Sequence, residues 1–206
     1  MERIYLEGGG DIRKEENDDL DSRALSESKN KKVYVIDLTS NDEEKVAQYR
    51  EPLEKYFKRL GAEEVGFVST SESLSEIKEK LEEAGVIYIP GGDTATLIDN
   101  LKKKQIGELL INLESIIIGN SAGAMVLSRE AICAYEGREI MEGLNIADIN
   151  IDVHYDNTHD KILNNLSKDR DMYGIAEKGA IIWEDGNLKF IGDIYLFSQG
   201  KKEKIN

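Results

Sequence analysis

Several residue types are scarce in this 206-residue sequence, and each scarcity narrows the class of protein. The only cysteine, Cys133, allows no internal disulfide bond and suits a reducing compartment. Apolar runs stay well below the ~20 residues that a membrane-spanning helix requires. The first residues are too acidic for a signal peptide. We therefore expect a cytoplasmic protein.

Basic residues are also in short supply. The chain has 27 lysines and arginines against 41 aspartates and glutamates, which gives a net charge of −14. A surface of this charge repels the phosphates of nucleic acids and of anionic membranes. We expect neither as a partner, and we expect a monomer or a homodimer. The run Gly8-Gly9-Gly10 lacks the G-x-G-x-x-G spacing of a dinucleotide site, and we expect no cofactor.

Strand-like and helical patterns alternate from residue 33 to residue 128. Apolar runs at 33–38, 64–68, 86–89 and 115–118 predict strands, and capped or amphipathic segments lie between them. This alternation predicts one α/β domain over residues 1–206, a three-layer sandwich with helices on both faces of a mostly parallel central sheet. Beyond residue 128, strands are predicted at 149–153 and 194–197, and a hairpin turn at Asp185-Gly186.

One stretch is typical of a catalytic turn: Gly119-Asn120-Ser121-Ala122-Gly123, directly after a predicted buried strand and before a helical run. This is G-x-S-x-G in the setting of a nucleophile elbow, a sharp turn that holds a serine hydroxyl above the sheet. Glycines are expected at 119 and 123 because a Cβ there would collide with the neighbouring strand or helix. The alternative is a plain strand-to-helix turn with a small polar residue.

A serine hydroxyl needs a base to take its proton, and the chain has two histidines. His154 is the better candidate because it ends a predicted strand, whereas His159 begins a predicted helix and is expected to be structural or peripheral. A carboxylate should orient the histidine. Glu136, which lies fifteen residues after Ser121, and Asp156, two residues after the histidine, both remain open.

An oxyanion hole requires backbone N–H groups that point at the developing negative charge. Ala122 follows the serine at the start of a helix and would supply one donor. Pro90-Gly91-Gly92 ends another predicted strand of the same sheet, and the carboxyl ends of parallel strands share one crevice. The second donor would therefore come from Gly91-Gly92.

Three short motifs together resemble peptidase family S51, which includes aspartyl dipeptidase (peptidase E) and cyanophycinase. Residues 119–124 (G-N-S-A-G-A) are similar to the family's G-x-S-A-G-A, residues 90–94 (P-G-G-D-T) to its P-G-G-N-T, and residues 153–156 (V-H-Y-D) to its P-H-Y/F. Their order and spacing also agree. The resemblance covers residues 3–197.

The resemblance implies a fold similar to that of class I glutamine amidotransferases, with serine in place of their cysteine. It implies Ser121 as nucleophile, His154 as base, Glu136 as the acidic member, and Gly92 and Ala122 as oxyanion donors. It also implies a metal-independent serine peptidase of the dipeptidase E type. Such an enzyme hydrolyses a short peptide or isopeptide through an acyl-enzyme and tends to favour an acidic residue at the cleaved bond.

The chain departs from the family pattern at two positions. Asp93 replaces the usual asparagine, and a carboxylate there would repel an acidic substrate. Val153 replaces the usual proline before the histidine, which matters less. The candidate cations for binding an acidic substrate are Arg129, Arg138 and Arg170. The sequence favours none of the three over the others.

Two other functions stay open. The first is a catalytically inactive homologue that binds a small peptide or metabolite, an alternative that the carboxylate of Asp93 supports. The second is an amidotransferase-like domain that serves a partner enzyme. The serine argues against this second function, since a thiol is the usual nucleophile in amidotransferase chemistry.

Overall fold

A computed structural model of the chain describes residues 3–111, 113–132 and 140–206. Cys133, Glu136 and Arg138 lie outside these described residues. The strands are β1 (Arg3–Glu7), β2 (Lys32–Ile36), β3 (Glu64–Val68), β4 (Val86–Ile89), β5 (Ile116–Asn120), β6 (Ser128–Ile132), β7 (Ile140–Glu142), β8 (Ala147–Asp152), β9 (Met172–Ile175), β10 (Ala180–Glu184), β11 (Asn187–Ile191), β12 (Ile194–Ser198) and β13 (Lys201–Lys204). The α-helices are α1 (Asp18–Glu27), α2 (Glu43–Arg59), α3 (Leu74–Glu83), α4 (Thr94–Lys103), α5 (Ile106–Leu110), α6 (Ala122–Leu127) and α7 (Asp160–Leu166).

The central sheet has seven strands in the order β11-β10-β1-β5-β4-β2-β3. The five strands from β1 to β3 in this order are parallel, and β10 and β11 add an antiparallel hairpin beside β1. The mostly parallel sheet predicted from the alternating pattern is thereby confirmed. In this topology β5 and β4 are neighbours, so the turns that follow them lie at the same edge of the sheet.

Side chains from the two faces of this sheet enter two separate apolar cores. In β2, Val33 and Val35 join the core beneath α1 and α2, whereas Tyr34 and Ile36 join the core beneath α3, α4 and α6. Successive side chains of a strand point to opposite faces, and here both faces are buried. The result is the three-layer α/β arrangement that the sequence predicts.

A second sheet, which the sequence does not predict, has six strands in the order β13-β12-β9-β8-β6-β7. Its strand β8 contains most of the predicted strand at 149–153, and β12 contains the one predicted at 194–197. The edge strand β13 is Lys-Lys-Glu-Lys, which has no apolar alternation to mark it. Charged residues of this kind protect an exposed sheet edge from pairing with other chains.

Turn, cap and proline residues can be compared with the elements that form around them. The hairpin turn between β10 and β11 is confirmed, with both Asp185 and Gly186 at positive φ. Ser73 and Glu76 form a capping box at the start of α3. Helix α2 runs without interruption through Pro52. In the described ranges, no helix is long and apolar enough to cross a membrane.

Two carboxyl groups are completely buried where β1 meets α1. Glu7 and Asp21 have no exposed surface; Asn17 Nδ2 donates to Glu7 Oε2 at 2.7 Å, and the Tyr56 hydroxyl donates to Asp21 Oδ2 at 2.5 Å. Burial, together with the nearby charge of Asp21, raises the pKa of Glu7 well above its ordinary range. Burial also raises the pKa of Asp21 to about 7. The folded protein therefore holds protons here that the unfolded chain releases near pH ~4.

This pair should make the stability of the protein fall as pH rises. Groups with raised pKa values stabilise the fold fully below their unfolded pKa and lose that contribution as pH passes through the folded pKa. We expect the wild type to lose stability relative to Glu7→Gln between pH ~4.5 and ~7, by up to ~1.4 kcal/mol per pH unit for each retained proton. Urea denaturation of both proteins across this range measures the difference.

The matched control is Glu51→Gln, which alters an exposed glutamate paired with Lys55 on α2. Its free energy of unfolding should change with pH nearly as that of the wild type does, because exposed ion pairs contribute little to stability. If the free energies of unfolding of the wild type and Glu7→Gln also change with pH in the same way, the buried pair does not retain the protons we infer.

Candidate active site

The turn that carries Ser121 has the geometry of a nucleophile elbow. Ser121 links β5 to α6 with φ 53° and ψ −109°, a conformation that non-glycine residues rarely adopt. A Cβ on Gly119 would lie 2.5 Å from the Gly123 carbonyl carbon, and a Cβ on Gly123 would lie 2.0 Å from the Ile89 oxygen. Real Cβ atoms do not approach other atoms so closely, so the expected reason for both glycines is confirmed.

His154 faces this serine from the second sheet. It follows β8, and its Nε2 lies 2.7 Å from Ser121 Oγ. His154 has φ 51°, and its backbone N–H donates to the Gly8 carbonyl at 2.7 Å. The imidazole is therefore held by the loop that follows β1, which is the neighbour of the serine's own strand.

The other imidazole nitrogen contacts a carboxylate that the sequence reasoning missed. His154 Nδ1 lies 2.5 Å from Glu177 Oε1, in the loop between β9 and β10. A carboxylate accepts hydrogen bonds, so Nδ1 carries the proton and Nε2 is free to accept from the serine. Among 41 acidic residues nothing in the sequence marks Glu177. Only the structure reveals its position, since Glu177 precedes β10 and β10 pairs with β1 beside the glycine run.

The two carboxylates considered from the sequence have other outcomes. Glu136 lies outside the described residues, so its distance to His154 is not part of the structure. Asp156 is not the partner of either imidazole nitrogen, and its Oδ1 instead accepts the Thr158 N–H at 2.7 Å and caps the short turn that follows. His159 instead bonds to the buried Asp152 at 2.7 Å.

The glycine run after β1 packs against the His154–Glu177 pair. A Cβ on Gly9 would lie 2.4 Å from His154 Cε1 and 2.6 Å from Glu177 Oε2. The Gly9 carbonyl also accepts the Lys178 N–H at 3.1 Å, directly after Glu177. Glycine is required because backbone lies where a side chain would displace the imidazole.

The residues expected to donate to an oxyanion lie beside the serine. A Cβ placed on Gly91 would be 3.4 Å from Ser121 Cβ and 3.8 Å from its Oγ. Gly92 has φ 149°, which favours glycine. Ala122 is the first residue of α6, and the first N–H groups of a helix have no acceptor within it. Both N–H groups remain predicted donors.

A cavity of about 420 Å³ opens beside Ser121 and extends towards α2. Its walls include Ile12, Val46, Tyr49 and Leu53, and its charged residues are Asp11, Arg13, Asp37, Lys45 and Asp93. Two of the arginines proposed from the sequence lie elsewhere. Arg129 pairs with Asp148 and Arg170 with Glu130, and neither lines the cavity. Arg138 lies outside the described residues.

Asp93, the departure from the family motif, has a structural partner. Its Oδ1 accepts the Thr96 N–H at 2.6 Å as the N-cap of α4, and hydrogen bonds from Thr96 lower its pKa. Its charge is thus stabilised at the start of a helix, where carboxylates are favourable. Among the described residues no group of three or more histidine, cysteine, aspartate or glutamate side chains could hold a metal ion.

Comparisons with known proteins identify several peptidases that are similar to this chain. An uncharacterized peptidase of Listeria monocytogenes is 28% identical over 166 residues, 73% of this chain and 81% of that protein. One of Listeria innocua is 28% identical over 172 residues, 75% of this chain and 81% of that protein. Among solved structures, a peptidase from an acI-B1 actinobacterium shares the fold, with a TM-score of 0.74 and 21% identity over 100% of this chain and 94% of that one.

A candidate peptidase E protein from Listeria monocytogenes superposes with a TM-score of 0.69 and 25% identity, over 93% of this chain and 98% of that one. The fold is thus of the peptidase E type, similar to class I glutamine amidotransferases. The family model described as peptidase family S51 matches residues 4–191, nearly the whole chain. The chain is therefore a member of peptidase family S51.

Proposed function

We propose that this peptidase is a serine hydrolase that cleaves a short peptide or isopeptide through an acyl-enzyme on Ser121. One observation carries the proposal: Ser121 Oγ lies 2.7 Å from His154 Nε2, while His154 Nδ1 lies 2.5 Å from Glu177 Oε1. Nucleophile, base and orienting carboxylate stand in the order that activates a serine hydroxyl.

Each residue has a defined role in this mechanism. His154 Nε2 takes the proton of Ser121 as Oγ attacks the carbonyl carbon. Glu177 holds the tautomer with the proton on Nδ1 and stabilises the imidazolium that forms. The N–H groups of Gly92 and Ala122 stabilise the oxyanion. His154 then protonates the leaving amine, and water releases the acyl group by the reverse sequence.

The preference for a substrate side chain depends on the charges that line the cavity. An acidic residue at the cleaved bond, as the resemblance implies, would need a cation in the cavity. Arg13 and Lys45 are the cationic side chains on the described part of its lining, and both are exposed. Glutamyl and aspartyl dipeptides are therefore the first acidic substrates to assay.

The competing function is an inactive homologue that binds a peptide or metabolite. The alignment of Ser121, His154 and Glu177 argues against it, because a binding site has no need of an activated hydroxyl. The N-cap role of Asp93 also removes the main argument for this alternative.

The first test is covalent labelling and turnover at Ser121. A fluorophosphonate should label the wild type at Ser121 and should not label Ser121→Ala. Turnover of any cleaved dipeptide should fall by roughly 10⁴-fold or more in Ser121→Ala, the loss seen when a serine nucleophile is removed. Ser128→Ala, which alters a buried serine at the end of α6, is the control that should keep its label. Absence of labelling and turnover in the wild type would favour the binding function.

A second test separates the two candidate carboxylates. Glu177→Gln should lower kcat by roughly 10²–10⁴-fold with little change in KM, because a glutamine favours the wrong imidazole tautomer. Glu136→Gln is the matched control and should have a much smaller effect. If Glu136→Gln proves the more damaging variant, Glu177 is not the orienting carboxylate.

A further inference from the structure

One arm of the cavity beside Ser121 suits the acyl half of a substrate. This inference rests on the proposed serine mechanism. His154 must protonate the leaving amine, so the leaving half lies towards His154 and the loop after β1. The cavity borders His154 and residues 10–13 on this side, and its other arm extends away from His154, past the end of β4 to the end of β2 and to α2.

The far end of this cavity contains a buried aspartate. Asp37 directly follows β2, is only 5% exposed and borders the cavity. In the sheet, Tyr88 pairs with both Val35 and Ile118, which places Asp37 level with Asn120 two residues further on. Two strand spacings separate them, about 10 Å. Asp37 is therefore too far from Ser121 to contact the reacting bond and stands where the end of a long acyl group would lie.

The Asp37 carboxylate is not fully satisfied by its neighbours. Arg50 Nε donates to Oδ2 at 2.7 Å, and Oδ1 has no hydrogen-bond partner among the described residues. Burial raises the pKa of Asp37 to about 6 despite that arginine. A carboxylate can accept about four hydrogen bonds, and an aspartate's terminal torsion is soft enough to turn an oxygen to the cavity.

The walls between Ser121 and Asp37 suit an aliphatic chain. Val46, Tyr49 and Leu53 of α2 line one side, and Tyr88 of β4 lies on the same face of the sheet as Asp37. Lysine and arginine place apolar stems along surfaces of this kind and carry their charge at the tip. Arg13 and Lys45 also line the cavity, but their charged side chains are exposed to solvent, whereas Asp37 is buried.

We propose that Asp37 is a specificity residue that binds a positively charged nitrogen on the acyl half of the substrate. The charge comes either from a lysine or arginine side chain just before the cleaved bond or from a free amine one residue further upstream. The two sources share one chemistry, a cation at the end of an extended apolar stem.

Four peptides separate these sources: Lys-Ala, Nle-Ala, Glu-Ala and Gly-Nle-Ala. Norleucine matches the lysine stem without its charge. We expect kcat/KM for Lys-Ala, or for cleavage of Gly-Nle-Ala at its last bond, to exceed that for Nle-Ala by roughly 10- to 100-fold. Whichever of the two substrates has a higher kcat/KM than Nle-Ala identifies the source of the cation. Asp37→Asn should abolish the advantage, mainly through KM.

Two further variants guard against indirect effects. Arg50→Gln frees the second oxygen of Asp37 and should increase the preference for the cationic substrate. Asp93→Asn removes a charge from the same cavity and keeps an N-cap residue on α4, so it should leave the preference unchanged. If Asp93→Asn reduces the preference as much as Asp37→Asn, the overall charge of the cavity is responsible and the role of Asp37 is overturned.

A binding measurement separates this inference from the proposed function. In Ser121→Ala, calorimetry should show the cationic peptide binding more tightly than Nle-Ala, and Ser121→Ala/Asp37→Asn should lose the difference. If peptides of all charges are cleaved equally, or Glu-Ala is preferred, the mechanism stands and the inference about Asp37 fails. If nothing is cleaved or labelled but cationic peptides still bind through Asp37, the serine mechanism fails and the assignment of Asp37 survives.

Discussion

The active site depends on the backbone contact between the two sheets at the glycine run after β1. The His154 N–H donates to the Gly8 carbonyl, and the Gly9 carbonyl accepts the N–H of Lys178. These bonds bring a histidine from the second sheet and a carboxylate from the loop before β10 to a serine on the central sheet. Any side chain at position 9 would occupy the space of the imidazole. The alignment of all three groups therefore rests on one stretch of backbone without side chains.

Backbone strain is also present at this site. Ser121 and His154 both have positive φ, which costs of order 1–3 kcal/mol for each non-glycine residue. Packing around the elbow holds the serine in this conformation, since Ser121 N–H donates to the Glu7 carbonyl and Gly123 lies against the end of β4. A residue forced into such a turn projects its hydroxyl away from the sheet, where a histidine can reach it.

Buried carboxyl groups surround this region in a chain whose net charge is already −14. Glu7 and Asp21 lie behind the elbow without a cation bonded to them in the described structure, whereas Asp37 lies at the end of the cavity beside Arg50. Burial penalises the ionised form in each case and raises the pKa. Glu7 and Asp21 avoid this penalty by retaining a proton. Asp37 reduces it through its hydrogen bond with the Arg50 guanidinium.

Much of the central sheet could be predicted from the sequence, because periodicity, caps and glycine turns are local properties. Buried strands with helices between them require a parallel sheet, and G-x-S-x-G after such a strand requires a tight turn at its carboxyl end. The second sheet could not be predicted in the same way, since its short strands are paired across long separations and β13 is wholly polar. The carboxylate that bonds to His154 could not be predicted from the sequence either. Glu177 meets His154 only because β10 pairs with β1 and brings its preceding loop to the glycine run. The sequence by itself determined the tight turn at Ser121 and the sheet that carries it, because both depend on neighbours along the chain. The tertiary structure alone decided which carboxylate faces the histidine and which aspartate ends the cavity, because those contacts join residues that are far apart in sequence.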